Sequence, residues 1–154
     1  MKIAIASDHA GFNLKKGILT YLAKTGVENK DFGCYSLESV NYVDFAVKAV
    51  ENVLAGDYDR AILICGTGLG MAIVANKFKG VRATPCWDEY TAELSRSHND
   101  SNCLTLGGRL LPLDEAIIIT KTWLETDFEG GRHKKRVDSI YKYGEELKKG
   151  GKDQ

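Results

Sequence analysis

No stretch of this chain approaches the roughly 20 consecutive apolar residues that a bilayer-spanning helix requires, and runs such as Ala116 to Ile119 are short and amphipathic in context. No secretion signal is legible, because Met1-Lys2 leads straight into a strand-like run. An excess of either charge is also missing: 21 Lys+Arg against 21 Asp+Glu leaves no summed field to gather nucleic acid, a membrane surface or a cationic partner. There is no C-x-x-C pair, and Cys34, Cys65, Cys86 and Cys103 are widely spaced, so reduced thiols and a soluble cytoplasmic protein are expected. No repeat, linker or low-complexity tract divides the chain. Its 154 residues, 44% of them hydrophobic, suffice for one core and not for two. One domain over residues 1–149 and a polar tail over 150–154 are expected.

What is present is an alternation of short apolar runs with helical spacings. Lys2 to Ser7 reads as a strand, followed by Phe12, Leu14, Ile18, Leu19 and Leu22 on a helix ending at Gly26. Val27 to Phe32 reads as a second strand, and Val43 to Leu54 as a helix stopping at Gly56. Ala61 to Cys65 is the clearest strand; then come a helix over Leu69 to Phe78, a strand over Val81 to Thr84, and a helix through Tyr90 and Leu94. A strand over Cys103 to Leu106 and a helix over Leu113 to Leu124 complete the alternation. Strands lacking polar alternation suit a sheet covered on both faces, so the fold class is α/β, a Rossmann-like three-layer α/β/α sandwich with five parallel strands. The segment Gly130-Gly131-Arg132-His133-Lys134-Lys135-Arg136 precedes a charged helix over Val137 to Lys149 with a thin apolar stripe of Val137, Ile140, Tyr141 and Leu147. That helix packs on its own subunit or reaches a neighbour.

In open parallel sheets, ligands bind beyond the carboxyl ends of the strands. The first strand ends in Asp8-His9, the third in Cys65-Gly66-Thr67-Gly68-Leu69-Gly70 and the fifth in Gly107-Gly108-Arg109, so these groups converge on one rim. Backbone N–H groups of a glycine turn opening a helix can hold an anion or a developing oxyanion. A nucleotide is disfavoured: there is no G-K-[ST], and Met71 occupies the place where a dinucleotide fingerprint needs Gly or Ala. At such a turn a cysteine becomes a base or nucleophile. Equally, Cys65 is an inert residue closing a strand.

His98, in Ser97-His98-Asn99-Asp100, is either an acid–base group near neutral pH or a surface cap. His9, His98 and His133 lie far apart in sequence with no H-x-x-x-H, so no metal site is expected. Arg132 and Arg136 stand four apart, a spacing that suits a phosphate clamp or a solvated basic helix start. Trp87, after the fourth strand, has a core or pocket-wall place as its default reading.

Taken together, Ser7-Asp8-His9-Ala10-Gly11, Cys65-Gly66-Thr67-Gly68-Leu69-Gly70-Met71, Arg96-Ser97-His98-Asn99 and Gly130-Gly131-Arg132-His133 resemble the signature blocks of the ribose-5-phosphate isomerase B family, in its order and roughly its spacing. The larger family includes the subunits of galactose-6-phosphate isomerase. The resemblance implies cofactor-free interconversion of D-ribose 5-phosphate and D-ribulose 5-phosphate. In it, Cys65 would move a proton between C2 and C1 through a cis-enediolate, and the backbone of Gly66 to Gly70, Leu69 included, would hold the oxygens. His98 would help open the furanose ring, while Asp8 and Thr67 hold or relay hydroxyl protons. His9, Asn99, Arg109, Arg132 and Arg136 would surround the sugar phosphate, the last two arriving from a partner in a homodimer or tetramer with shared sites. Tyr42 matches a family tyrosine near the sugar, although Val43 stands where many members have proline. Relatives with a glutamate base in the helix after the turn lack the cysteine; this chain has Cys65, and Val74 and Ala75 near that position.

The rival readings are a galactose-6-phosphate isomerase subunit, which needs a second kind of subunit, and a sugar-phosphate binding protein without turnover. Unphosphorylated aldoses such as allose are further candidate substrates.

Overall fold

The structure is a computed structural model that describes the backbone of residues 1–150, with side chains described as far as Lys142. Residues 151–154 of the expected tail and the Leu147 side chain lie outside the described residues; Gly150 ends the last helix.

Five strands, β1 (Lys2–Ser7), β2 (Glu28–Asp31), β3 (Arg60–Cys65), β4 (Ala83–Pro85) and β5 (Cys103–Gly107), alternate with α1 (Phe12–Lys24), α2 (Tyr42–Leu54), α3 (Leu69–Ala75), α4 (Glu89–Ser97) and α5 (Leu113–Glu125). A sixth helix, α6 (Gly131–Gly150), follows. The strands form one parallel sheet in the order β2-β1-β3-β5-β4. The expected α/β/α class holds. The chain leaves β1 toward one edge and β3 toward the other, so the crevice between β1 and β3 is the switch point at which open parallel sheets accommodate ligands.

Period-two alternation gives the sheet two unlike faces. Ile3, Ile5, Ile62, Ile64, Leu104 and Leu106 point to one, against Leu14, Ile18 and Leu22 of α1, Ala92 of α4 and Ala116, Ile119 and Trp123 of α5. Ala4, Ala6, Ala61, Leu63, Cys65, Ala83 and Cys103 point to the other, against Ala46, Ala49 and Val50 of α2 and Met71, Ala72 and Ala75 of α3. The first layer is thick with branched side chains; the second is thin, and its helices sit over small residues.

Trp123 is fully buried, its Nε1–H donating to Ser101 Oγ at 2.6 Å. Trp123→Phe removes that bond and part of the ring volume, and an expected loss of about 1–3 kcal/mol would appear in urea unfolding as a lower midpoint at unchanged slope. An unchanged midpoint would show that the core closes around the smaller ring.

Several boundaries differ from the sequence expectation for local reasons. α3 ends at Ala75, not Phe78, because Asn76 turns its side chain onto both backbone groups of Ala83. β4 starts at Ala83, not Val81, because the Asn102 side chain takes the Arg82 N–H and the Gly80 carbonyl. The glycine pair before Arg132 does not delay the last helix: Gly130 and Gly131 have positive φ, and Gly130 O accepts from the His133 and Lys134 N–H groups. Arg132, His133 and Arg136 therefore lie on α6 itself. Trp87 is half-exposed on the wall of a shallow cleft with Glu115 and Ile118, not in the core.

Candidate functional site

The carboxyl rim of β1, β3 and β5 assembles as the strand ends suggest. The β3–α3 turn is knit to the end of β5, with Gly108 N–H donating to Cys65 O at 2.7 Å and Arg109 N–H to Gly66 O at 3.0 Å. Gly68 has φ +80, and a Cβ there would stand 3.0 Å from the Leu106 backbone, so glycine is needed on both counts. That conformation aims the Gly68 N–H at Cys65 Sγ, 3.2 Å away. Thr67, exposed beside it, accepts from Leu69 N–H at 3.3 Å.

Asp8 is buried, and its Oδ1 accepts from the N–H groups of Ala10 at 2.9 Å and Gly11 at 3.0 Å, which fixes the turn into α1. His9 Nδ1 accepts from Val40 N–H at 3.2 Å, so its proton sits on Nε2. The same contact draws in the loop before α2, where Asn41 accepts from Val43 N–H and caps the helix that Tyr42 opens. Tyr42 lies over Gly70, whose missing Cβ would stand 2.8 Å from the ring. Arg109 lies over Gly66, its Nη1 3.4 Å from the place of a Cβ there. Asp8, His9, Tyr42, Cys65, the Gly66 to Gly70 turn and Arg109 therefore share one rim. Burial pushes the Cys86 and Cys103 thiols up in pKa.

His98, Asn99, Arg132 and Arg136 do not join this rim within one chain. α4 runs back along the sheet, and His98 caps its far end. Asn99 O and Asp100 O accept from Arg82 Nε, just before β4, and Ala61 N–H donates to Asn102 O at the start of β3. These are amino ends of strands, whereas Cys65 closes β3 at its carboxyl end. At about 3.3 Å per residue the six-residue β3 separates them by roughly 16 Å. Within one chain, this geometry keeps His98 away from Cys65.

The amino-end cluster has its own order. Asp100, at φ 47, is held by Arg82 Nη2 and Arg96 Nη1, each at 2.8 Å. Arg82 also meets the Tyr141 hydroxyl of α6, and Glu129 N–H donates to Ser97 O. His133 is buried with its ring stacked on His98 at 4.0 Å. Arg132 Nε donates to His133 Nε2 at 3.3 Å. Burial first, and then the charges of His98 and Arg132, lower the His133 pKa against the opposing pull of Glu129. Sequence separation concealed the meeting of His98 with His133; the four-residue spacing of Glu129 and His133 was the signal available.

The ribose/galactose isomerase family model matches residues 3–140. Ribose-5-phosphate isomerase B of Escherichia coli strain K12 is 47% identical over 139 residues, 90% of this chain and 93% of that protein. The Clostridium thermocellum ribose-5-phosphate isomerase B structure is 50% identical with a TM-score of 0.93, covering 96% of this chain and 99% of that one. That of Mycoplasma genitalium, with ribulose 5-phosphate bound, is 42% identical with a TM-score of 0.89, covering 94% and 97%. Because the matched region takes in every strand and both ends of the sheet, the chain belongs to the ribose/galactose isomerase family.

Proposed function

We propose that the protein interconverts D-ribose 5-phosphate and D-ribulose 5-phosphate, with Cys65 as the base and without a metal or organic cofactor. The observation that carries this reading is the Cys65 sulfur set beside a turn of backbone donors, with Gly68 N–H 3.2 Å away. A proton next to a carbonyl becomes removable when the charge arriving on oxygen meets preorganised donors. The Cys65 thiolate takes the C2 proton of the open-chain aldose as the C1–C2 enediolate forms, and returns it to C1 as the C2 carbonyl forms. Asp8 and Thr67 hold or relay hydroxyl protons, and Tyr42 lies beside the sugar.

His98 opens the furanose ring and Asn99 binds the sugar from a second copy of the chain, because roughly 16 Å of strand separates them from Cys65 in their own. Arg132 and Arg136 reach in with them and, together with His9 and Arg109, bind the phosphate. Two identical sites per homodimer follow from this exchange.

The direct test is turnover of ribose 5-phosphate by the purified chain with a chelator present. Absence of turnover in a folded sample that binds the sugar phosphate would shift the reading to a two-subunit galactose-6-phosphate isomerase or a binding protein. Sharing of the site is tested by co-refolding Cys65→Ala with His98→Ala chains. Each is inactive alone, and the mixture recovers partial activity because the hybrid dimer contains one intact site. Hybrids that form and stay inactive would place both residues in the same chain's site. Replacing Arg132 or Arg136 by Ala is expected to raise KM for the phosphorylated sugar by about tenfold or more while kcat changes less; equal kinetics would reject the phosphate role.

A further inference from the structure

At the amino end of the sheet the rings of His98 and His133 lie face to face, 4.0 Å between centroids and 9° between planes. Glu129 Oε2 stands 3.4 Å from His133 Nε2. One donor atom from each of His98, Glu129 and His133 lies within 4.8 Å of the others. We propose that these three side chains form a reversible binding site for a zinc-class divalent cation.

The donor set selects the ion. Two imidazoles and one carboxylate suit zinc and its borderline-soft neighbours, whereas magnesium and calcium favour all-oxygen shells. Zinc bonds of about 2.0–2.1 Å in a tetrahedron put ligand atoms roughly 3.3 Å apart, close to the separation Glu129 and His133 already have. His133 is held by burial, and the Glu129 carboxylate is exposed and free to adjust. The remaining movement falls on half-buried His98, which tilts out of the parallel stack until its nitrogen converges with that of His133. Water fills the fourth position, as in sites with three protein ligands.

The surroundings decide how tightly the ion is held. Arg132 Nε occupies the His133 Nε2 lone pair, so an arriving cation displaces that hydrogen bond. Arg132 and Arg136 also oppose a positive ion, which makes this a site filled when free zinc rises, unlike a permanent structural centre. Occupancy takes His98 and frees Arg132 from its partner. On the functional reading above, zinc then inhibits by withholding the ring-opening group; the binding itself does not depend on that reading.

The experiment titrates chelator-treated full-length protein with zinc by calorimetry and, in parallel, with cobalt(II) by absorption. One ion per chain is expected, with visible cobalt bands and no sulfur-to-cobalt charge transfer. Glu129→Gln and His133→Gln should each weaken zinc by at least about tenfold, the lower end of the cost of losing an outer-shell partner alone. Glu129 takes no part in the proposed chemistry, so Glu129→Gln should keep basal turnover and raise the zinc concentration needed for inhibition by the same factor. Unchanged binding in both variants would overturn the site, and so would a charge-transfer band that vanishes in Cys65→Ala, which would assign the metal to the thiol. Equal binding of magnesium would overturn the donor-set argument. If no turnover of any sugar phosphate is found while zinc binding follows the variants, the isomerase reading fails and the metal site stands.

Discussion

Cys65→Ala is expected to lower kcat by about 10²–10⁴-fold, the usual contribution of a positioned acid–base group, while the sugar phosphate still binds. The reasoning starts from packing. Cys65 is nearly buried, and its Cβ belongs to the small-residue face of the sheet, so removing one sulfur leaves the turn, the Gly108 N–H bond to Cys65 O and the Arg109 N–H bond to Gly66 O untouched. Only the group at the Gly68 N–H is lost. Exchange of the C2 hydrogen with solvent separates base from bystander: bound ribose 5-phosphate should keep its label in the variant. A variant with near-normal kcat would remove Cys65 from the reaction.

Asp31→Ala is expected to destabilise the protein by about 3 kcal/mol, on the order of 10 °C in Tm. Lys15 of α1 is fully buried, and its ammonium donates to Asp31 Oδ1 and to Cys34 O, each at 2.6 Å. Removing the carboxylate leaves a charge inside the protein with one neutral acceptor and two aromatic faces, Phe12 at 5.8 Å and Tyr35 at 5.2 Å. The converse change is milder, because Asp31 reaches solvent, so Lys15→Met should cost distinctly less. Thermal unfolding of both variants checks the order, and a reversal would mean that Lys15 finds water when its partner is gone. Asp31 also accepts from Gly33 N–H, and the loop beyond carries Val40 and Tyr42 to the rim. A looser site is therefore expected to accompany the lost stability.

The parts of this molecule that local pattern dictates were legible. Ala61 to Cys65 was the clearest strand, and Asp8, Cys65 and Arg109 share a rim because parallel strands put their carboxyl ends on one side. What local pattern does not encode was not legible. The placement of β5 between β3 and β4 depends on pairing across many residues. Asn76 and Asn102 trimmed a helix and a strand by tertiary hydrogen bonds. The stack of His98 on His133 joins segments that share no motif, and the separation of His98 from Cys65 follows from the direction of α4, which the motif blocks do not carry.

The unlike faces of the sheet imply opposite evolutionary constraints. Where Ile3, Ile5, Ile62, Ile64, Leu104 and Leu106 meet α1, α4 and α5, substitutions that shrink a side chain leave voids, while exchanges among branched residues are absorbed. Where Ala4, Ala6, Ala61 and Ala83 meet α2 and α3, any gain in bulk lifts a helix from the sheet. Those are the two helices whose first turns carry Tyr42 over Gly70 and the glycine turn onto the end of β3. Drift in substrate preference should therefore be driven from this alanine floor, where one added methyl group moves the walls of the pocket without changing a residue that touches the sugar.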